Sequence, residues 1–190
     1  MASRTQIVCL CEGEHDSTDA VFINKLMKTL DPKWVRPQDK GSNTVRLVAC
    51  GGRKTLIEKM PGELRSCLAA GADTTLMVWA DCDDDCADGD ALKDKFWKKA
   101  QEAETKRTDF DRVVFIFAKD RLENWIQFLK TGRTDEAKEG PRLRDSREAT
   151  AAAGKLAELC KAGRNVPDMP PSLQWSCKNW RALVERMKKS

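Results

Sequence analysis

The chain has 190 residues, 41% hydrophobic and 34% charged, with a mean hydropathy of −0.58, which is enough apolar material for one buried core and no disulfide staples. No run approaches the roughly 18 uninterrupted apolar residues of a membrane-spanning helix, and the first apolar run is too short for a secretory signal, so a membrane protein is excluded and a cytoplasmic location is expected. The net charge of +4 is uneven: 11 basic against 9 acidic residues over 1–80, 11 against 15 over 81–137, and 12 against 6 over 138–190, an acidic middle beside a basic tail that suits a protein holding a cation and a polyanion such as nucleic acid.

Gln6–Cys11 (QIVCLC) is nearly continuous in apolar character and reads as a strand covered on both faces. Ala20, Ile23, Leu26, Met27 and Leu30 then recur at helical spacing. Val45–Cys50 (VRLVAC) is a second strand, a Gly51-Gly52 turn follows, and Leu56, Ile57, Met60, Leu64, Cys67 and Leu68 form a second helical stripe. Thr75–Ala80 (TLMVWA) and Arg112–Ala118 (RVVFIFA) are the third and fourth strands, separated by a weaker stripe of Leu92, Phe96, Lys99 and Ala103. Leu122, Trp125, Ile126 and Leu129 suit a helix that Gly132 ends, and Gly140-Pro141 breaks the chain again. Residues 146–162 read as an Ala-rich helix capped by Ser146, 165–171 as a connector, and 173–189 as an amphipathic helix bearing Trp175, Trp180, Leu183 and Met187. This order predicts an α/β fold: a Rossmann-like parallel sheet of about four strands with right-handed crossovers, flanked by helices. Residues 1–135 would form this unit and 136–190 a basic helical C-terminal extension packed on it.

Eight cysteines in a chain read as cytoplasmic are expected to be reduced thiols. Cys9 and Cys11 are read as facing opposite sides of their strand. Cys82 and Cys86 have a spacing that chelates zinc, yet no second Cys/His pair follows and the one histidine is His15. Cys50, Cys67, Cys160 and Cys177 read as small buried hydrophobes.

Ligands of an open parallel sheet bind at the carboxyl ends of the strands. Strand one runs into Glu12-Gly13-Glu14-His15-Asp16, strand three into Asp81-Cys82-Asp83-Asp84-Asp85, and strand four into Lys119-Asp120-Arg121-Leu122-Glu123. Converging carboxylates repel one another and lose hydration, so they call for a cation, and their hard oxygens select Mg²⁺ or Mn²⁺. An EF-hand loop beginning at Asp81 fails, because Cys86 and Leu92 stand where it needs Gly and Glu. A solvated acidic loop accounts for Asp84, Asp88 and Asp90, but not for Asp81, which abuts the apolar strand.

An apolar strand entering Glu12-Gly13 with Asp16 three residues on, an amphipathic helix, and a later strand entering Asp81-x-Asp83 resemble the Toprim domain of topoisomerases, bacterial primases and recombination proteins. The Gly51-Gly52-Arg53-Lys54 turn and the Leu122-Glu123-Asn124-Trp125 segment resemble the branch of overcoming-lysogenization-defect (OLD) nucleases. The resemblance covers roughly residues 5–130. It implies a Toprim-like fold and a nuclease centre in which one or two Mg²⁺ or Mn²⁺ ions support phosphodiester cleavage. By the same resemblance Glu12 is a metal ligand or general base, Asp16 an outer or second-metal ligand, Asp81 and Asp83 metal ligands, and Glu123 a second-metal ligand. Lys119 would neutralise charge on the reacting phosphate. Arg53, Lys54 and Arg121 would contact nucleic acid, as would Trp34 or Trp175 by stacking on a base or a partner. With no tyrosine in the chain a covalent tyrosyl intermediate is excluded, and GGRKT lacks the spacing of a P-loop.

Two functions are therefore carried forward. One is a Mg²⁺ or Mn²⁺-dependent Toprim nuclease acting on DNA or RNA, as an effector in a bacterial or phage defence system. The other is a Toprim-derived, non-catalytic regulatory subunit of a separately encoded ATPase or nucleic-acid-processing complex.

Overall fold

The computed structural model describes residues 6–14, 17–30, 45–83, 86–143, 145–162 and 166–189. His15, Asp16, Trp34, Asp84 and Asp85 lie outside them. Strands β1 (Gln6–Cys11), β2 (Val45–Ala49), β3 (Thr74–Cys82) and β4 (Val114–Lys119) form one sheet in the order β2-β1-β3-β4. Every pairing is parallel: Ile7 stands opposite Val45 and Thr75, and Met77 opposite Val114. The helices are α1 (Thr18–Leu30), α2 (Arg53–Ala70), α3 (Gly89–Glu102), a short α4 (Arg107–Phe110), α5 (Leu122–Thr131), α6 (Ser146–Ala162) and α7 (Pro171–Lys189). The architecture is the Rossmann-like parallel α/β sheet that the alternation of strands and helices predicts. Among the described residues no helix is long and apolar enough to cross a membrane.

The two sheet faces sort by the period-2 alternation of a strand. Ile7, Cys9, Cys11, Met77 and Trp79 join one core layer with Phe22 and Ile23 of α1, Trp125 of α5, Ala153 of α6 and Leu183 of α7. Val8, Leu10, Val78 and Ala80 join the other with Leu56 and Met60 of α2 and Phe96 of α3. Cys9 and Cys11 therefore share a face, contrary to the expectation above: residues two apart along a strand point the same way. Both are fully buried in the apolar layer, and burial raises their thiol pKa values.

Local chemistry sets the element ends. Ser17 caps α1, its Oγ accepting the Ala20 N–H at 3.3 Å, and Asp88 caps α3, accepting the Ala91 N–H at 2.9 Å. Gly132, at φ 81°, ends α5 in the left-handed conformation that favours glycine. Strand β3 runs past Ala80 to Cys82, because Asp81 and Cys82 pair with Ala118 and Lys119. The edge of β4 is covered by α7: Ser176 Oγ donates to the Phe117 carbonyl and accepts the Phe117 N–H, each at 3.0 Å. Asn179 Nδ2 likewise donates to the Phe115 carbonyl at 3.0 Å. Side chains of a C-terminal helix thus complete an otherwise open strand edge.

Candidate functional site

The direction in which the crossovers progress across the sheet reverses between the two central strands, β1 and β3, which themselves run parallel. From β1 the chain crosses to β2 on one side, and from β3 to β4 on the other. The crevice beyond the carboxyl ends of β1 and β3 is therefore the topological switch point, where parallel sheets bind ligands. Glu12 follows β1 and Asp81 lies at the end of β3. The Glu12 carboxylate accepts the Asp81 backbone N–H at 3.2 Å and also the N–H of Arg53, the first residue of α2. One carboxylate thus joins two strand ends and caps a helix N-terminus, where negative charge is favoured. The approach of α2 depends on Gly51 and Gly52, at φ 66° and 137°; Gly52 donates its N–H to the Glu12 carbonyl at 3.0 Å.

A third carboxylate, Asp19, comes from the first turn of α1. It was missed in the sequence, although a signal was present: Asp19 falls in phase with Ile23, Leu26, Met27 and Leu30, so a carboxylate sits on the apolar stripe. Gly13 permits its approach. A Cβ at that position would lie 2.5 Å from Ser17 Oγ and 3.1 Å from Asp19 Oδ2. Glu123, in the first turn of α5, completes the group.

These carboxylates perturb one another in the way a shared site requires. Burial, then the charges of Glu123 and Glu12, push the Asp19 carboxyl up to about 6. Burial, then Asp19, Glu12, Glu123 and Asp83, push Asp81 well above the usual carboxylate range. Glu12 is raised by burial, against the opposing pull of its two backbone N–H partners and the Arg53 charge. The Asp81 Oδ1 atom is buried with no hydrogen-bond partner, a costly arrangement for a carboxylate oxygen.

The basic residues are held close to home. The Arg53 guanidinium lies across the site, donating to the Asp81 carbonyl at 3.3 Å and pairing with Asp83 Oδ2 at 3.0 Å. Asp83, half exposed, is therefore turned toward Arg53. Lys54 is exposed on α2. Lys119 Nζ donates to the Cys86 and Asp83 carbonyls at 2.8 and 3.4 Å, stitching down the loop after β3. Arg121 pairs with Glu139 at 2.6 Å and with Asp120 at 3.4 Å, tying the start of α5 to the segment before α6.

In kind, the donor set of Glu12, Asp19, Asp81 and Glu123 fits a hard divalent cation, and the orphaned Asp81 oxygen is the atom such an ion would satisfy. In placement, no three Asp, Glu, Cys or His side chains among the described residues already form a ligand set. Binding therefore requires side-chain adjustment, with Asp83 leaving Arg53 if it is to take part. Compared with protein-family models, curated proteins and solved structures, the chain matches none.

Proposed function

We propose that the chain is a Mg²⁺ or Mn²⁺-dependent phosphodiesterase acting on nucleic acid, of the kind the Toprim resemblance implies. One observation carries the reading: a buried Asp81 oxygen without a partner, inside a group of carboxylates at the switch point. Glu12, Asp19, Asp81 and Glu123 are the residues that would hold the cation. Bound there, the ion would polarise a phosphodiester and supply hydroxide from water near neutral pH. The chain's own part is to fix the strand ends through Glu12, exclude water from Asp81, and present Arg53 to the anionic phosphate. The basic 138–190 segment supports a grip on a polynucleotide backbone.

The test is incubation of purified protein with plasmid, single-stranded DNA and tRNA in Mg²⁺ or Mn²⁺, beside Glu12→Gln and Asp81→Asn. Cleavage by the wild type alone is the expected result. Equal cleavage by all three proteins would remove the assignment.

A second reading, a non-catalytic subunit of an ATPase or nucleic-acid-processing complex, is favoured by the Arg53 ion pair, which gives Asp83 a positive partner from within the chain. Under it, the carboxylates are structural or bind a metal without catalysing, and no preparation cleaves nucleic acid.

A further inference from the structure

Cys160 of α6 and Cys177 of α7 stand 17 positions apart in sequence and meet where the two helices close over one face of the sheet. Their thiols share a hydrogen bond. Both also line one small cavity of about 20 Å³, walled by Leu26, Trp79, Leu156 and Trp180 among others. The helices are anchored at this meeting point. Ala153 and Leu156 hold α6, and Leu173 and Trp180 hold α7, in the same buried layer, while Ser176 ties α7 to the β4 backbone.

A disulfide needs its sulfurs about 2.05 Å apart. For two thiols in hydrogen-bond contact the remaining approach is a matter of side-chain rotation, and the adjoining void gives the sulfurs room to turn.

The other six cysteines are buried, whereas these two are partly exposed. Cys82 and Cys86 show the contrast: Cys82 Sγ donates to the Cys86 and Asp88 carbonyls at 3.6 and 3.4 Å, and both thiols are shut away from solvent. An oxidant arriving from solution therefore meets Cys160 and Cys177 first. These two are also unequal. The hydrogen bond from Cys160, with the charge of Arg181 one turn on, holds Cys177 below the usual thiol range, and the same bond, with burial, holds Cys160 above it. Since the thiolate is the nucleophile, Cys177 is the sulfur that attacks.

We propose that Cys160 and Cys177 form a redox modification site, at which a peroxide joins α6 to α7 through a reversible disulfide. The Cys177 thiolate attacks one oxygen of hydrogen peroxide. The O–O bond breaks, leaving a sulfenic acid on Cys177 and a hydroxide that solvent protonates to water. Cys160 then gives up its proton and attacks the Cys177 sulfur; the S–S bond forms, the S–O bond breaks, and the departing hydroxide takes that proton as a second water. Two thiols lose two electrons and the peroxide accepts both. The site uses none of the carboxylates, so it stands apart from the nuclease reading. Because α6 packs on α1 and α7 covers the β4 edge, the bond staples together the helices that close this face, and it shortens the unfolded chain's reach, the usual source of disulfide stabilisation.

The test treats the reduced 190-residue chain with a small excess of hydrogen peroxide, in EDTA to exclude metal-catalysed oxidation. Remaining thiols are capped with N-ethylmaleimide and the peptides mapped without reduction. The expected product is a linked Cys160 and Cys177 peptide pair, formed within one molecule before any of the other six cysteines is oxidised. The melting temperature rises by roughly 5 °C or more and returns with dithiothreitol. Cys160→Ser, lacking the second thiol, stops at a Cys177 sulfenic acid that dimedone traps, and peroxide does not raise its melting temperature. Cys160→Ala serves if Cys160→Ser does not fold, and the wild-type map needs neither variant. The proposal is overturned if the map shows no link between Cys160 and Cys177, if another pair or a link between two copies forms first, or if the linked protein melts no higher than the reduced one.

Discussion

The Glu12 carboxylate accepts the backbone N–H of Asp81 at 3.2 Å, across the seam between β1 and β3. The same carboxylate takes the Arg53 N–H at the head of α2, so one side chain fixes the three elements that border the crevice. Glu12→Ala removes both bonds and is expected to cost about 1–2 kcal/mol in urea unfolding. Glu12→Gln keeps an amide oxygen as acceptor and is expected to cost less than half of that. Equal losses would show that the carboxylate does not act as a structural cap.

The Asp19 carboxyl titrates at about 6 in the folded protein against an ordinary 3.8. The folded state therefore binds this proton more tightly than the unfolded chain. Its stabilisation is complete below about pH 4 and is lost as the pH rises through about 6. Asp81 shifts in the same direction. In EDTA, Asp19→Asn should gain on the wild type by on the order of 3 kcal/mol between pH 4 and 7. Millimolar Mg²⁺ or Mn²⁺ should raise the wild-type melting temperature at pH 7.5 and have little effect at pH 4.5. A difference between the two proteins that stays flat with pH would refute the shared-site electrostatics.

Gly13 is needed for space. Since a Cβ there meets Ser17 Oγ at 2.5 Å and Ser17 Cβ at 2.8 Å, Gly13→Ala must displace the cap of α1. We expect a loss of about 1–3 kcal/mol and, with Asp19 moved, weaker Mg²⁺ stabilisation. Wild-type Mg²⁺ response in a destabilised Gly13→Ala protein would separate the helix cap from the site.

Asn124 is buried and holds the segment before α6. Its Nδ2 donates to the Lys138 and Lys119 carbonyls at 3.2 and 3.4 Å, and its Oδ1 accepts from Thr134 at 3.2 Å. Asn124→Ala leaves those partners unsatisfied and is expected to cost about 1–3 kcal/mol. Limited proteolysis should then cut first between residues 133 and 143. An unchanged digestion pattern would rule out Asn124 as the clasp.

Cys160 of α6 and Cys177 of α7 share a thiol hydrogen bond, and both are partly exposed. That bond and the nearby Arg181 hold Cys177 below the usual thiol range, whereas burial raises Cys9, Cys11, Cys50 and Cys67. Iodoacetamide should therefore label Cys177 before those four in a timed peptide map. Uniform labelling of the native protein would contradict this.

The parallel α/β sheet was legible in local sequence patterns. Continuous apolar runs mark strands buried on both faces, and the 3.6-residue stripes between them mark crossover helices; both are local periodicities. The sequence also placed Glu12, Asp81 and Glu123 at strand or helix ends, where parallel sheets bind ligands. The phase of Asp19 on the apolar stripe of α1 marks it as inward-facing, but tertiary structure decided that it joins them, because α1 turns its first residues over the switch point only after packing on the sheet. It decided, too, that Arg53 and Arg121 lie in internal ion pairs, and that Ser176 and Asn179 seal the β4 edge across more than fifty residues of chain. Those pairings are set by where distant elements dock, and no local spacing encodes them.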